Sequence, residues 1–206
     1  MIELLSLIAD IQERAKEYGN WLEKTRPDLP NAFNMIYNDI TLMRELLSYY
    51  YEVWSRAPAD IDKEEVKRIR KENAERVIEI TKFTFVFALS SMEYCLKELL
   101  KADGHIVFTR QLRKIRSALL ADKRVHLRAI VRSCKEDGII DDDQYEIWEC
   151  LIEVRNAVVH NNAIADRDAE YRVENFTVTF SKGRMLRGRL DFFVRPLEVA
   201  IEHYYT

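Results

Sequence analysis

Five glycines and four prolines are spread through 206 residues, so the chain has few places to reverse direction. That scarcity disfavours a β-sandwich, a propeller or a glycine-cradled nucleotide site and points to long helices. Apolar residues at 48% and charged residues at 33% match a folded chain rather than a disordered one. No uncharged run exceeds ten residues, the length of Phe83 to Met92 and half of the ~20 a membrane span needs, so no membrane association is expected. Glu3 stands where a secretory signal would carry Lys or Arg. Three widely spaced cysteines (Cys95, Cys134, Cys150) form no CxxC pair and suggest free thiols in a reducing cytoplasm. Four scattered histidines suggest no zinc site, and His105 and His126 read as ordinary surface or half-buried residues.

Helical spacing organises most of the chain. Residues 2–24 place Leu4, Leu5, Ile8, Ile11 and Ala15 on one side. Pro27 and Pro30 then break the pattern, and Asn31 is a suitable cap for a second helix over about 32–56. Asp60 or Asp62 opens a polar stretch that merges into the most apolar segment, Val77 to Leu100, with Gly104 as its expected stop. Thr109 and Asp122 resemble N-caps of two short basic helices, the second closed by Gly138. The triplet Asp141-Asp142-Asp143 suits a helix N-terminus and starts a helix running to about Asn161. Apolar residues on either side of Ser181-Lys182-Gly183 suggest a β-hairpin over 173–190, and helical spacing returns from Phe192. The expected fold is mainly α, with an N-terminal helical extension (1–60) packed on a helical domain (61–206) that carries the late hairpin.

The net charge of −3 hides an asymmetry. Nine basic residues against Asp122 alone lie between Phe108 and Lys135, while acidic residues dominate the first 55. Arg124, Arg128, Arg132 and Lys135 follow steps of 4, 4 and 3, the spacing of one helix face. A further cluster comprises Lys182, Arg184, Arg187 and Arg189. Two readings stand side by side: a surface for nucleic-acid phosphates, or a solvated face that pairs with the acidic N-terminal segment.

The helix from Asp143 to Asn161 holds the most informative residue. Ile147, Trp148, Leu151, Ile152, Val158 and Val159 form a broad apolar face, and Arg155 projects into its middle. A guanidinium keeps its charge, so Arg155 must meet a carboxylate, a wet cleft, a subunit interface or an anionic ligand. Glu149, Glu153, Asn156 and His160 line the adjacent side. Glu153 reads there as a solvated residue, and Asn156 is placed to hydrogen-bond His160 and fix its tautomer. Asn161 and Asn162 suggest fraying or a turn just beyond.

The run Arg155-Asn156-Ala157-Val158-Val159-His160 resembles the signature of the HEPN superfamily, in which an Arg and a following polar residue precede a His late in a helix. Ser90-Ser91-Met92-Glu93 is similar to the small polar notch of the preceding helix in that family, and the likeness covers roughly Arg76 to Ala165. The resemblance implies a HEPN-like helical bundle and a metal-independent endoribonuclease that needs no cofactor. Its products would carry 2′,3′-cyclic phosphate and 5′-hydroxyl ends. His160 would act as general base or acid, Arg155 would bind charge on the pentacoordinate phosphorus, and Asn156 would orient one of them. Residues five apart on a helix point about 140° from each other, so one helix converges poorly on a single phosphate. A two-fold homodimer would bring two copies of the motif into one groove. Glu93 is expected to hold Arg155, with Arg124, Arg128 and Arg132 along the RNA. A toxin or antiviral effector of a prokaryotic defence module, with a nucleotidyltransferase-like antitoxin, is the implied setting. The alternative is a non-catalytic HEPN-like module that binds nucleotides or a partner protein.

Overall fold

The computed structural model describes residues 2–55, 63–102, 109–173, 176–186 and 194–205. Seven helices and one two-stranded antiparallel sheet are present among them, in the order α1 (Ile2–Thr25), α2 (Ala32–Ser55), α3 (Lys63–Lys101), α4 (Arg110–Leu120), α5 (Leu127–Glu136), α6 (Asp142–Asn161), β1 (Ala169–Val173), β2 (Phe176–Phe180) and α7 (Val194–Tyr205). None of these helices is long and apolar enough to cross a membrane. The chain is mainly α with a late hairpin.

Local caps set several of these boundaries. Asn31 accepts from the Asn34 backbone N–H at 3.2 Å and donates to the Gly19 carbonyl at 2.8 Å, starting α2 and tying it to α1. A Cβ built on Gly19 would lie 2.2 Å from Asn34 Oδ1 but 3.5 Å from the Asn34 backbone nitrogen, so the glycine makes room for the Asn34 side chain rather than for the helix backbone. Asp141 opens α6 with a reciprocal capping box: it accepts from the Gln144 N–H at 2.8 Å, and its own N–H donates to Gln144 Oε1 at 3.1 Å.

Of the two expected caps of the basic helices, Thr109 does stand at the N-cap of α4 and Asp122 does not cap α5. Thr109 precedes α4 but its hydroxyl donates to Asp137, whose carboxylate also accepts from the Gln111 and Leu112 N–H groups at 3.2 and 3.1 Å. The residue that closes α5 thus satisfies the first turn of α4. Asp122 does not cap α5; it takes a left-handed φ of 53° in the turn after α4, and His126 is the residue before α5. Gly138 (φ 70°) follows the end of α5.

The hairpin lies earlier than the spacing predicts. Ala169 pairs with Phe180 and Val173 with Phe176, so the strands occupy 169–173 and 176–180 rather than 173–190. Ser181-Lys182-Gly183 does reverse the chain, with Gly183 at φ 74°, but it returns Met185 to an isolated bridge with Ile164. Asp60, Asp62, Gly104, His105, Arg187 and Arg189 lie outside the described residues.

One apolar core runs through the described chain. It joins Ile8 and Ile11 of α1, Ile36, Ile40 and Leu47 of α2, and Phe85, Leu89 and Met92 of α3 to Cys150 and Leu151 of α6 and Ala200 of α7, all of them buried. Burial at ~25 cal/mol per Å² of apolar surface makes this continuous cluster the main source of stability. The first two helices contribute a large share of it. A smaller cluster of Leu100, Leu112, Leu119, Val125 and Ile130 seats α4 and α5 beside the end of α3.

Candidate functional site

Helix α6 carries Arg155, Asn156 and His160, and it packs against both α3 and α5. The Arg155 guanidinium reaches the notch on α3, where one terminal nitrogen lies 3.4 Å from Glu93 Oε2 and the other donates to Ser90 Oγ at 3.3 Å. Its side chain keeps 26% exposure, and its Nε is buried with no hydrogen-bond partner. Glu93 is shared: Lys97 Nζ donates to its Oε1 at 2.5 Å. Arg155 is therefore held loosely at the border of the apolar face, by a carboxylate whose charge is divided between two cations.

Two cavities open around this helix. The first, about 360 Å³, is lined by Glu93, His126, Arg128, Arg132, Arg155 and Asn156 together with neighbouring apolar atoms. Arg128 is paired outside this cavity with Glu149 and Glu153, which leaves Arg132 and Arg155 against the one carboxylate of Glu93, so its wall favours anions. The second, about 470 Å³, adjoins the first and is lined by residues that include His160, Asn156, His126, Arg128, Glu153, Asp166 and Arg167. Arg155 and His160 thus face different cavities, as their angular separation on a helix requires. Asn156, His126 and Arg128 line both.

His160 is exposed in the last turn of α6. Among the described residues it has no hydrogen-bond partner, and the expected bond from Asn156 is not formed, although both residues line the second cavity. The helix end is a fixed turn. Asn162 and Ala163 adopt left-handed φ values of 50° and 63°, the Ala163 N–H donates to Ala157 O at 2.8 Å, and the Ala163 carbonyl accepts from the Leu186 N–H at 2.7 Å.

Glu153 is buried rather than solvated. With its side chain 8% exposed, it accepts from Arg167 through both oxygens, at 3.0 and 2.8 Å, and from Arg128 at 2.8 Å. Its carboxylate raises the Arg167 pKa, chiefly through the hydrogen bond. Two guanidiniums compensate the burial of this carboxylate. Arg128 also lies 3.1 Å from Glu149. The sequence concealed this clamp because Arg167 enters from beyond the helix, before β1.

The basic stripe is correspondingly altered. Arg124 is exposed but sits in the connector before α5, not on the helix face with Arg128 and Arg132. Arg128 is engaged by Glu149 and Glu153, and Lys135 pairs with Asp142 and lies 5.3 Å from the Tyr145 ring centre. Arg132 is exposed, lines the first cavity and has no partner among the described residues. No group of three or more His, Cys, Asp or Glu positioned to hold a metal occurs among the described residues.

His126 is the site residue that sequence reasoning passed over. Periodicity does not mark it, because its place is fixed by the start of α5 rather than by a helix face. Comparison with protein-family models, with curated proteins and with solved structures finds no match to this chain.

Proposed function

We propose that this chain is a HEPN-type, metal-independent endoribonuclease whose working form is a homodimer. The observation that carries this reading is the placement of Arg155 and His160 on the two flanks of Asn156, each facing a cavity, with a common wall between the cavities. The first cavity supplies positive charge for a phosphate, with Arg132 uncommitted and Arg155 only loosely paired. The second supplies an imidazole without a competing partner. A second copy has a surface to join: Phe83, Phe87 and Tyr94 are 50–58% exposed on the face of α3 that also presents Ser90 to Arg155, and Val159 of α6 is 50% exposed. Dimer formation there would border the cleft and bring four motif residues together. A defence-associated toxin, silenced by a nucleotidyltransferase-like antitoxin in a reducing cytoplasm, is the setting we propose.

A second reading is favoured by one contact. Glu93 already partners Arg155, as in a module that binds a nucleotide or a protein without cutting RNA. Incubation with mixed RNA in excess EDTA, followed by analysis of product ends, separates the two. The ribonuclease reading expects 2′,3′-cyclic phosphate and 5′-hydroxyl ends, lost in His160→Ala and Arg155→Ala. Intact RNA combined with saturable, salt-sensitive binding would establish the module instead.

A further inference from the structure

Strand cleavage by the neighbouring 2′-hydroxyl needs two proton transfers on opposite sides of the phosphorus. One removes the proton from the attacking O2′, and the other delivers a proton to the departing O5′. His160 supplies one imidazole, at the end of α6. Of the three residues that line both cavities, Arg128 is engaged by Glu149 and Glu153, and Asn156 carries no titratable proton. His126 is the third. It is exposed, stands just before α5 and makes no side-chain cap bond to that helix. The carboxylates around it are differently placed: Glu93 is tied to Arg155 and Lys97, Glu153 is clamped by Arg128 and Arg167, and Asp166 lines only the second cavity.

We propose that His126 is a second catalytic residue of this site, acting as the general acid opposite His160; the proposal rests on the ribonuclease reading. A phosphate on the shared wall would have its non-bridging oxygens towards Arg132 and Arg155 in the first cavity, where both guanidiniums are found. His160 takes the O2′ proton as the O2′–P bond forms. The P–O5′ bond breaks, and the His126 imidazolium gives its proton to O5′. The two imidazoles end with their charges exchanged, and proton exchange with water restores them, so no metal or co-reactant enters the balance.

The test compares leaving groups. An oligoribonucleotide spanning a site cut in the mixed-RNA experiment is prepared with oxygen or with sulfur at the 5′-bridging position, because a thiolate departs without protonation. His126→Asn is the variant, since Asn starts helices well and cannot carry the proton. Expected is a loss of about 100-fold or more on the oxygen substrate and less than about threefold on the sulfur substrate, with His160→Ala losing both. Equal losses of His126→Asn on the two substrates, or none on the oxygen substrate, would overturn the role of His126 and leave the ribonuclease reading standing. Wild-type protein that cuts no RNA in the first experiment would overturn both.

Discussion

Arg155 crosses from α6 to meet Glu93 on α3, at 3.4 Å and with the two side chains 26% and 13% exposed. A pair so placed is weaker than a fully buried one, but its carboxylate stands between two cations. Removing the charge in Glu93→Gln leaves Arg155 and Lys97 facing each other, at an expected cost of about 1–2 kcal/mol in urea unfolding. In the Arg155→Met background the same substitution should cost less, because the interaction it removes is already gone. Additive losses in the double-mutant cycle would show that the two side chains are energetically independent.

Glu153 anchors a different link, between α5, α6 and the segment leading into β1. Glu153→Gln leaves Arg128 and Arg167 with only part of their compensation. Arg167 is half exposed, which moderates the loss to an expected ~2 kcal/mol in denaturant midpoint experiments. Arg167→Ala should cost more than Glu153→Gln, because it takes two of three arginine hydrogen bonds from a carboxylate that stays buried and charged, whereas Gln removes that buried charge. The reverse order would mean that the carboxylate is satisfied in some other way.

Acid should loosen α4 from α5. Burial pushes the Asp137 carboxyl up, but hydrogen bonds from Thr109, Leu112 and Gln111 and the nearby charge of Lys114 outweigh it and hold the pKa below the usual value. A lowered folded-state pKa contributes stability that is present above the unfolded value of about 3.9 and is lost as pH falls through the folded value. Asp137→Asn should therefore lower Tm at pH 7, with the gap to wild type closing below pH ~3.9. A gap independent of pH would refute this linkage.

The thiols should be inert in the native protein. Burial pushes Cys95 and Cys134 up to about 11 and Cys150 up to about 12, with nearby carboxylates adding to the effect. Little thiolate exists at pH 8, so iodoacetamide should modify Cys134, the least buried, first and slowly. Mass spectrometry should find Cys95 and Cys150 unmodified until denaturant is added. Rapid native labelling of Cys150 would contradict its complete burial.

Helix boundaries were legible wherever a local cap wrote them, as at Asn31 and Asp141. The awkward position of Arg155 was legible from angular spacing alone, whereas the nearness of Glu93 came from the resemblance of Ser90-Ser91-Met92-Glu93 to the polar notch of the HEPN signature. The hairpin was misplaced because strand register depends on which of two reversals closes the ladder. The recognisable Ser-Lys-Gly turn serves the Ile164–Met185 bridge instead. Asp122 and Arg124 were assigned to α5 by spacing, whereas the helix starts only after His126. Glu153 looked solvated because its arginine partners come from α5 and from the approach to β1, relationships that no single-helix pattern contains.

The segment bearing Arg155 and His160 is not a portable cassette. Phe85, Leu89 and Met92 of α3 share one interior with the opening helical pair. A shortened protein that starts at Lys63 would uncover those side chains, and its recovery from refolding would fall through self-association rather than through any change at the motif. Grafts or minimal versions would therefore have to carry a substitute for that lost cover.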